Sequence, residues 1–215
     1  MKLSELSHRP ISHPDCCLSL SLPLLKCLAK ELPKSPEHVL SIGSGKGLLE
    51  QMLRTYYPSL DIYGVEIQDV YGVNKYLPES NIWTILGSVG LCRTCDRATM
   101  ASAWMFVYPR NPLLVFKYIH EFGDGKVKML IWLGPRNDWN DFAPYLENDR
   151  FETPKEVTAS GLPAYELMVI ARKRNLKDEK VNEYMESVTT DSSISTSPTS
   201  KDPVQSNHKE PVDGE

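Results

Sequence analysis

A glycine-rich turn between two apolar segments constrains the fold of this chain more than any other feature. The first segment is His38–Ile42, and glycines follow at Gly43, Gly45 and Gly47 before a helical pattern begins at once. A second apolar segment, residues 62–67, carries an acidic residue near its end. The order strand, glycine-rich turn, helix, strand and acid is typical of a nucleotide-type site.

Each part of this pattern has a physical role in such a site. Glycine is needed where the backbone turns sharply or lies close to a ligand. The N terminus of the following helix offers unpaired N–H groups and the positive end of its dipole to a negatively charged group. The acidic residue, Glu66, would then accept hydrogen bonds from the hydroxyls of a ribose.

The spacing of the glycines decides between ligand classes. The dinucleotide fingerprint G-x-G-x-x-G requires glycine or alanine where this chain has Leu48, so the pattern disfavours NAD. A nicotinamide-dependent reductase remains an alternative. The ATP-binding loop fails as well, since its first glycine would be Leu40 and its Ser or Thr would be Gly47.

The turn resembles motif I of the class I S-adenosylmethionine (SAM)-dependent methyltransferases, in which an apolar strand precedes G-x-G-x-G and an acid follows one strand later. The resemblance extends over residues 36–173 and implies SAM as the cofactor. Ser88 is a departure, because the family often has an acid there that contacts the adenine. The implied cofactor-binding residues are Gly43, Ser44, Gly45, Gly47, Glu66, Ile67, Gly87 and Ser88.

Strand and helix patterns alternate downstream with short connections, which predicts an α/β fold with a mostly parallel, doubly wound sheet. A C-terminal hairpin over residues 156–172 would add antiparallel strands, as in the class I methyltransferases. We expect one domain. The predicted strands are 81–86, 102–108 and 126–133, and the predicted helices are 69–76, 113–122 and 138–146.

The loop after the predicted strand 102–108 is expected to face the cofactor and the acceptor, because ligands in open α/β sheets lie beyond the carboxyl ends of the strands. Tyr108, Arg110 and Asn111 are the candidates for the substrate pocket. The loop does not match the Asn/Asp-Pro-Pro-aromatic version of the family's motif. No acid–base constellation can be placed, so catalytic residues are unknown.

Composition limits the partners. The chain of 215 residues has a formal charge of −4, which gives no electrostatic footprint for stable nucleic-acid binding. We expect a small-molecule or protein acceptor.

An odd count of five cysteines fits a reducing, cytoplasmic compartment. The basic run 172–174 leaves nuclear import open. Cys92 and Cys95 lack a second pair, so no metal site is predicted.

The ends of the chain differ from its middle. Residues 1–35 form an N-terminal segment, in which leucines at three- and four-residue steps predict an amphipathic helix from about Pro14 to Leu32. This helix would be a lid over the site. No apolar run reaches the length of a membrane span. Residues 174–215 are rich in Lys, Glu, Ser and Thr and are predicted to be a disordered polar tail.

The sequence thus predicts transfer of a methyl group from SAM to an unidentified acceptor. The alternative is a catalytically inactive protein that keeps the methyltransferase fold as a binding or regulatory module. The departure at Ser88 and the unmatched loop at Tyr108 are the observations that keep this alternative open.

Overall fold

Nine strands and four α-helices build the region that the computed structural model describes, namely residues 6–68, 73–86 and 93–174. Residues up to Arg174 form one compact unit, and the predicted tail lies outside the described residues. The strands are β1 (Ile11–His13), β2 (Cys16–Leu20), β3 (His38–Ile42), β4 (Asp61–Gln68), β5 (Ile82–Leu86), β6 (Ala101–Val107), β7 (Met129–Pro135), β8 (Lys155–Glu156) and β9 (Glu166–Arg172). The helices are α1 (Leu22–Glu31), α2 (Leu48–Tyr56), α3 (Pro112–Phe122) and α4 (Trp139–Leu146), and short 3₁₀ helices cover Glu79–Asn81, Asp96–Met100 and Arg136–Asp138.

Seven strands form the main sheet in the order β5-β4-β3-β6-β7-β9-β8. The pairs from β5 through β7 are parallel, whereas β9 runs antiparallel to both β7 and β8. The predicted α/β fold with a C-terminal antiparallel hairpin is therefore confirmed. The strand order reverses at β3, between β4 and β6, which puts a ligand-binding crevice at the carboxyl ends of β3 and β6.

Side chains from both faces of the sheet are buried in two cores. On one face, α1, α2 and β2 pack on residues such as Val39, Met105 and Ile131. On the other face, α3 and α4 cover Trp104 and Trp132, both of which are fully buried. Because neighbouring strands bury both of their faces, they read in the sequence as nearly continuous apolar runs.

The predicted N-terminal helix begins later than expected, at Leu22, because residues 11–20 form the β1–β2 hairpin. Ser21 caps α1 by accepting a hydrogen bond from Leu24 N (3.1 Å), and a proline follows the cap. This is a strong helix start. Leu18 is buried as predicted, but as a strand residue that shares its face with Leu20.

The predicted helix 69–76 is wrong over its described part, since Asn74 and the two residues after it are not helical. The Asn74 side chain forms two hydrogen bonds with the backbone of Leu77. The N–H groups of Lys75 and Tyr76 donate to Lys46 O (3.1 and 3.0 Å). These bonds replace the helical ones, as is typical of asparagine in loops.

No helix in the described part of the chain is long and apolar enough to cross a bilayer.

Candidate functional site

Three left-handed glycines shape the turn between β3 and α2. Gly43, Gly45 and Gly47 have φ angles of +76°, +57° and +77°, a region that other residues rarely adopt. The N–H groups of Gly43 and Ser44 donate to Val65 O at 2.9 and 3.1 Å. These bonds fix the turn against β4.

The first two glycines border open space, and the third does not. A Cβ atom at Gly43 or Gly45 would have no neighbour within 4 Å, whereas one at Gly47 would lie 2.9 Å from both Asn74 Oδ1 and Leu77 Cγ. Gly47 is therefore required by packing as well as by its φ angle. Gly43 and Gly45 instead leave a cradle that a ligand can fill.

The carboxylate of Glu66 lies at this turn, as the sequence predicts for an acid at the end of β4. Its Oε2 accepts from Gly45 N at 2.7 Å, and its Oε1 accepts from Ile67 N at 2.9 Å. Both predicted residues, Glu66 and Ile67, are half-buried. Glu66 thus holds the glycine turn in place. The same two hydrogen bonds orient its carboxylate before a ligand hydroxyl would approach it.

A cavity of about 220 Å³ adjoins the cradle. Its walls are the glycine turn, the first turn of α2, the β1–β2 turn and the exposed residue Arg110. Ser44 also lines it, although the Ser44 Oγ is buried without a hydrogen-bond partner among the described residues. The cavity lies at the strand-order reversal, where α/β proteins bind ligands.

The β1–β2 turn is fastened over the glycine turn by Asp15. Its carboxylate accepts hydrogen bonds from Lys46 Nζ at 2.5 Å, Lys75 Nζ at 2.8 Å and Tyr76 Oη. These bonds hold the pKa of Asp15 well below its usual range. The sequence predicted a helical lid, whereas the structure has the β1–β2 turn at this place. The bonds of Asp15 join residues 31 and 60 positions apart, so no local pattern reveals them.

A buried acid, Glu50, forms part of the cavity wall and was missed by sequence reasoning. Its side chain extends from the first turn of α2, is 2% exposed and accepts a hydrogen bond from Ser41 Oγ at 2.5 Å. Burial raises the pKa of Glu50 to about 7. Its position beside the glycine turn was the available signal, but a glutamate in a first helical turn usually faces solvent.

Of the predicted substrate-pocket residues, Tyr108 and Asn111 have structural partners. Tyr108 directly follows β6 with φ +50°, and its hydroxyl donates to the buried carboxylate of Glu166 at 2.5 Å. Burial next to this carboxylate raises the pKa of Tyr108. Asn111 caps α3 by accepting from Leu113 N at 3.0 Å. Arg110 alone of the three lines the cavity.

Gly87 and Ser88, predicted for the adenine side, lie outside the described residues, as does Cys92. No group of three His, Cys, Asp or Glu side chains that could hold a metal ion occurs within the described ranges. Because Cys92 is not described, the absence of a metal site from the whole chain stays a prediction.

No protein-family model matches the sequence, and no curated protein matches it. Solved structures do. The methyltransferase domain of bacterial CtHen1-C is 15% identical, with a TM-score of 0.51 over 70% of this chain and 95% of that domain. Precorrin-6y C5,15-methyltransferase from Geobacter metallireducens GS-15 is 9% identical, with a TM-score of 0.50 over 77% of this chain and 93% of that protein.

The pyocyanin biosynthetic protein PhzM is 12% identical, with a TM-score of 0.50 over 70% of this chain. The chain spans about half the length of PhzM (54%) and of two other matching structures (55% and 51%). At these identities the likeness concerns the fold, and it agrees with the strand order and the antiparallel C-terminal strands. The chain has the seven-stranded, Rossmann-like fold of the class I SAM-dependent methyltransferases.

Proposed function

We propose that this protein binds SAM at the glycine turn and transfers its methyl group to an acceptor nucleophile. The observation that carries the proposal is the open cradle at Gly43 and Gly45, next to a cavity at the strand-order reversal. The fold supports it, since a glycine turn at this place in an α/β sheet is where a nucleotide-type ligand binds.

The residues of the cradle fit the amino-acid and ribose portions of SAM. The cavity of about 220 Å³ is smaller than the roughly 300–1,000 Å³ of whole ligand sites, so it would hold the methionyl end. Backbone N–H groups at the start of α2 would bind the methionyl carboxylate. Glu66 and Ile67 would face the ribose, while Gly87 and Ser88 remain proposals for the adenine.

SAM would supply an electrophilic methyl group whose leaving group is a neutral thioether. The protein then has to hold donor and acceptor in line and exclude water. The β1–β2 turn, fastened by Asp15, covers the cradle and would exclude water from the methionyl end. Arg110, exposed at the cavity, is the residue that we propose to contact the acceptor.

The acceptor that we propose is a small molecule or a protein. The formal charge of −4 argues against a stable complex with nucleic acid. Free thiols at Cys16, Cys17, Cys27 and Cys95 support the proposal of a reducing, cytoplasmic compartment.

A second candidate function is a binding module without catalysis. It is favoured by the contacts of Tyr108 and Asn111, whose side chains bond to Glu166 and to the start of α3 rather than facing an acceptor. In that case the protein would bind SAM or S-adenosylhomocysteine (SAH) without turnover.

Two measurements on the full chain test these functions. Isothermal titration with SAM and SAH should give binding at one site per chain. If neither ligand gives heat or raises the melting temperature, the cofactor proposal is refuted. Incubation with methyl-labelled SAM and mixtures of small molecules or protein extract should then label an acceptor. Binding without labelling over a broad screen would favour the module.

A further inference from the structure

Glu50 has an environment that does not suit a charge. Its side chain is 2% exposed, and its carboxylate accepts hydrogen bonds from the neutral hydroxyl of Ser41 and from its own backbone N–H, neither of which carries a charge. A buried carboxylate is costly unless a cation or several hydrogen bonds compensate it. Its place in the cavity wall leaves room for a ligand to provide that compensation.

The described groups around Glu50 provide no cation. Cys16 faces it from β2, Ser41 from β3 and Glu66 from β4, and none of these is positive. Lys46, the cation of the glycine turn, is bonded instead to Asp15 on the β1–β2 turn. Among the described residues, no positive group stabilises the charged form of Glu50 enough to lower its pKa.

This position is matched to one part of the proposed cofactor. Backbone N–H groups at the start of α2 attract the methionyl carboxylate, and the α-ammonium group is attached to the same carbon atom as that carboxylate. Glu50 extends from this same first turn of α2. A carboxylate bound at the helix start would therefore bring its ammonium group close to Glu50.

We propose that Glu50 is the recognition site for the α-ammonium group of the methionyl end of the cofactor. This inference rests on the proposed function. Glu50 would form an ion pair with the ligand that the ligand-free protein lacks, and it would select ligands with a free amino group next to the carboxylate.

A proton must leave Glu50 when the ammonium group binds. In the free protein, burial and, to a smaller extent, the nearby Glu66 carboxylate raise the pKa of Glu50 to about 7. A bound cation would lower it again. SAM should therefore bind roughly tenfold more weakly at pH 5.5 than at pH 7.0, a window below the titration of the ligand's own amino group at about 7.7–8.0.

The test is titration of SAM and SAH into the wild type, Glu50→Gln and the matched control Glu37→Gln. Glu37 precedes β3 at its amino end and pairs with the surface residue Lys128, far along the strand from the turn. We expect Glu50→Gln to weaken both ligands by roughly 10- to 100-fold and to flatten the pH dependence. Glu37→Gln should bind as the wild type does.

Thermal unfolding without ligand separates recognition from a structural role. Glu50→Gln removes a buried charge, so at pH 8 it should unfold no earlier than the wild type, while its stabilisation by SAM is reduced. Equal affinity of Glu50→Gln and the wild type would overturn the inference, as would a wild-type affinity independent of pH. A loss of affinity for SAM but not for SAH would also overturn it, because Glu50 would then recognise the sulfonium group and not the ammonium group. No binding to the wild type would overturn the proposed function itself.

Discussion

The cradle at Gly45 can be tested by filling it with a single methyl group. In Gly45→Ala the new Cβ would have no protein atom within 4 Å, so the cost to folding comes from the φ angle of +57°. That strain is about 1–2 kcal/mol. For a domain of this size each kcal/mol lowers the melting temperature by about 2–4 °C, so we expect a decrease of about 2–8 °C.

The same methyl group would occupy the surface that we propose the cofactor contacts. Insertion of a methyl group into a packed contact costs about 1–3 kcal/mol, so SAM should bind roughly 5- to 150-fold more weakly to Gly45→Ala. Isothermal titration measures the affinity, and denaturant unfolding measures the stability of the same sample.

Gly47→Ala is the matched control, since its φ angle of +77° carries similar strain. Its Cβ would lie 2.9 Å from Asn74 Oδ1 and from Leu77 Cγ, inside the protein. We therefore expect it to lose more stability than Gly45→Ala. If Gly45→Ala binds SAM with wild-type affinity, the cradle is not the ligand site and the reasoning is refuted.

Three substitutions, one of them with a control variant of its own, test the neighbouring contacts. Glu66→Ala should weaken SAM binding by about 1–3 kcal/mol through lost charge-assisted hydrogen bonds, and unchanged affinity in titration would mean that this carboxylate does not contact the ligand. Tyr108→Phe leaves the buried Glu166 without its hydroxyl donor and should lower the free energy of unfolding by about 1–3 kcal/mol. Tyr165→Phe removes a longer bond, 3.2 Å between its hydroxyl and Ser19 Oγ, at a residue 62% exposed, so it should cost less; equal effects in urea would contradict this account. Because burial raises the pKa of Glu50 from 4.5 to about 7, the folded protein binds more protons than the unfolded chain between these values. The wild type should therefore lose up to about 3 kcal/mol relative to Glu50→Gln as pH rises from 4.5 to 7, and parallel stability curves would show that Glu50 is not buried as described.

The sheet was predictable from the sequence because buried parallel strands leave long apolar runs. The strand at 38–42, its glycine turn and the acid at Glu66 form a local pattern within 30 residues, and the structure brings them together. The C-terminal antiparallel pair was also readable from the sequence, since its apolar strand follows a turn of Gly161 and Pro163.

The N-terminal hairpin could not be predicted from the same kind of pattern. The leucines at residues 18, 22, 25, 28 and 32 fit one helical face, although the first of them lies in β2 and the next three lie in α1. Tertiary contacts decide between the two readings, among them the bond from Ser21 Oγ to Gly161 O at 2.7 Å. The partners lie 140 residues apart, so no local rule finds them.

The contacts of the site show the same limit. Three sets of contacts form only when separate elements meet. They are Asp15 with its two lysines, Tyr108 with Glu166, and Glu50 with Ser41. The place of the loop beyond the carboxyl ends of the strands suggested that Tyr108 faces an acceptor. In the structure its hydroxyl donates a hydrogen bond to the buried carboxylate of Glu166. Arg110 is then the polar side chain of that loop that lines the cavity.

The central claim, that the glycine turn is a SAM site, is tested most directly by a crystal structure of the full chain grown with SAH. The account predicts electron density for the methionyl end against Gly43 and Gly45, with its amino group within hydrogen-bonding distance of Glu50 and the ribose hydroxyls at Glu66. Crystals in which SAH at millimolar concentration leaves this cradle filled by protein side chains or solvent would contradict it.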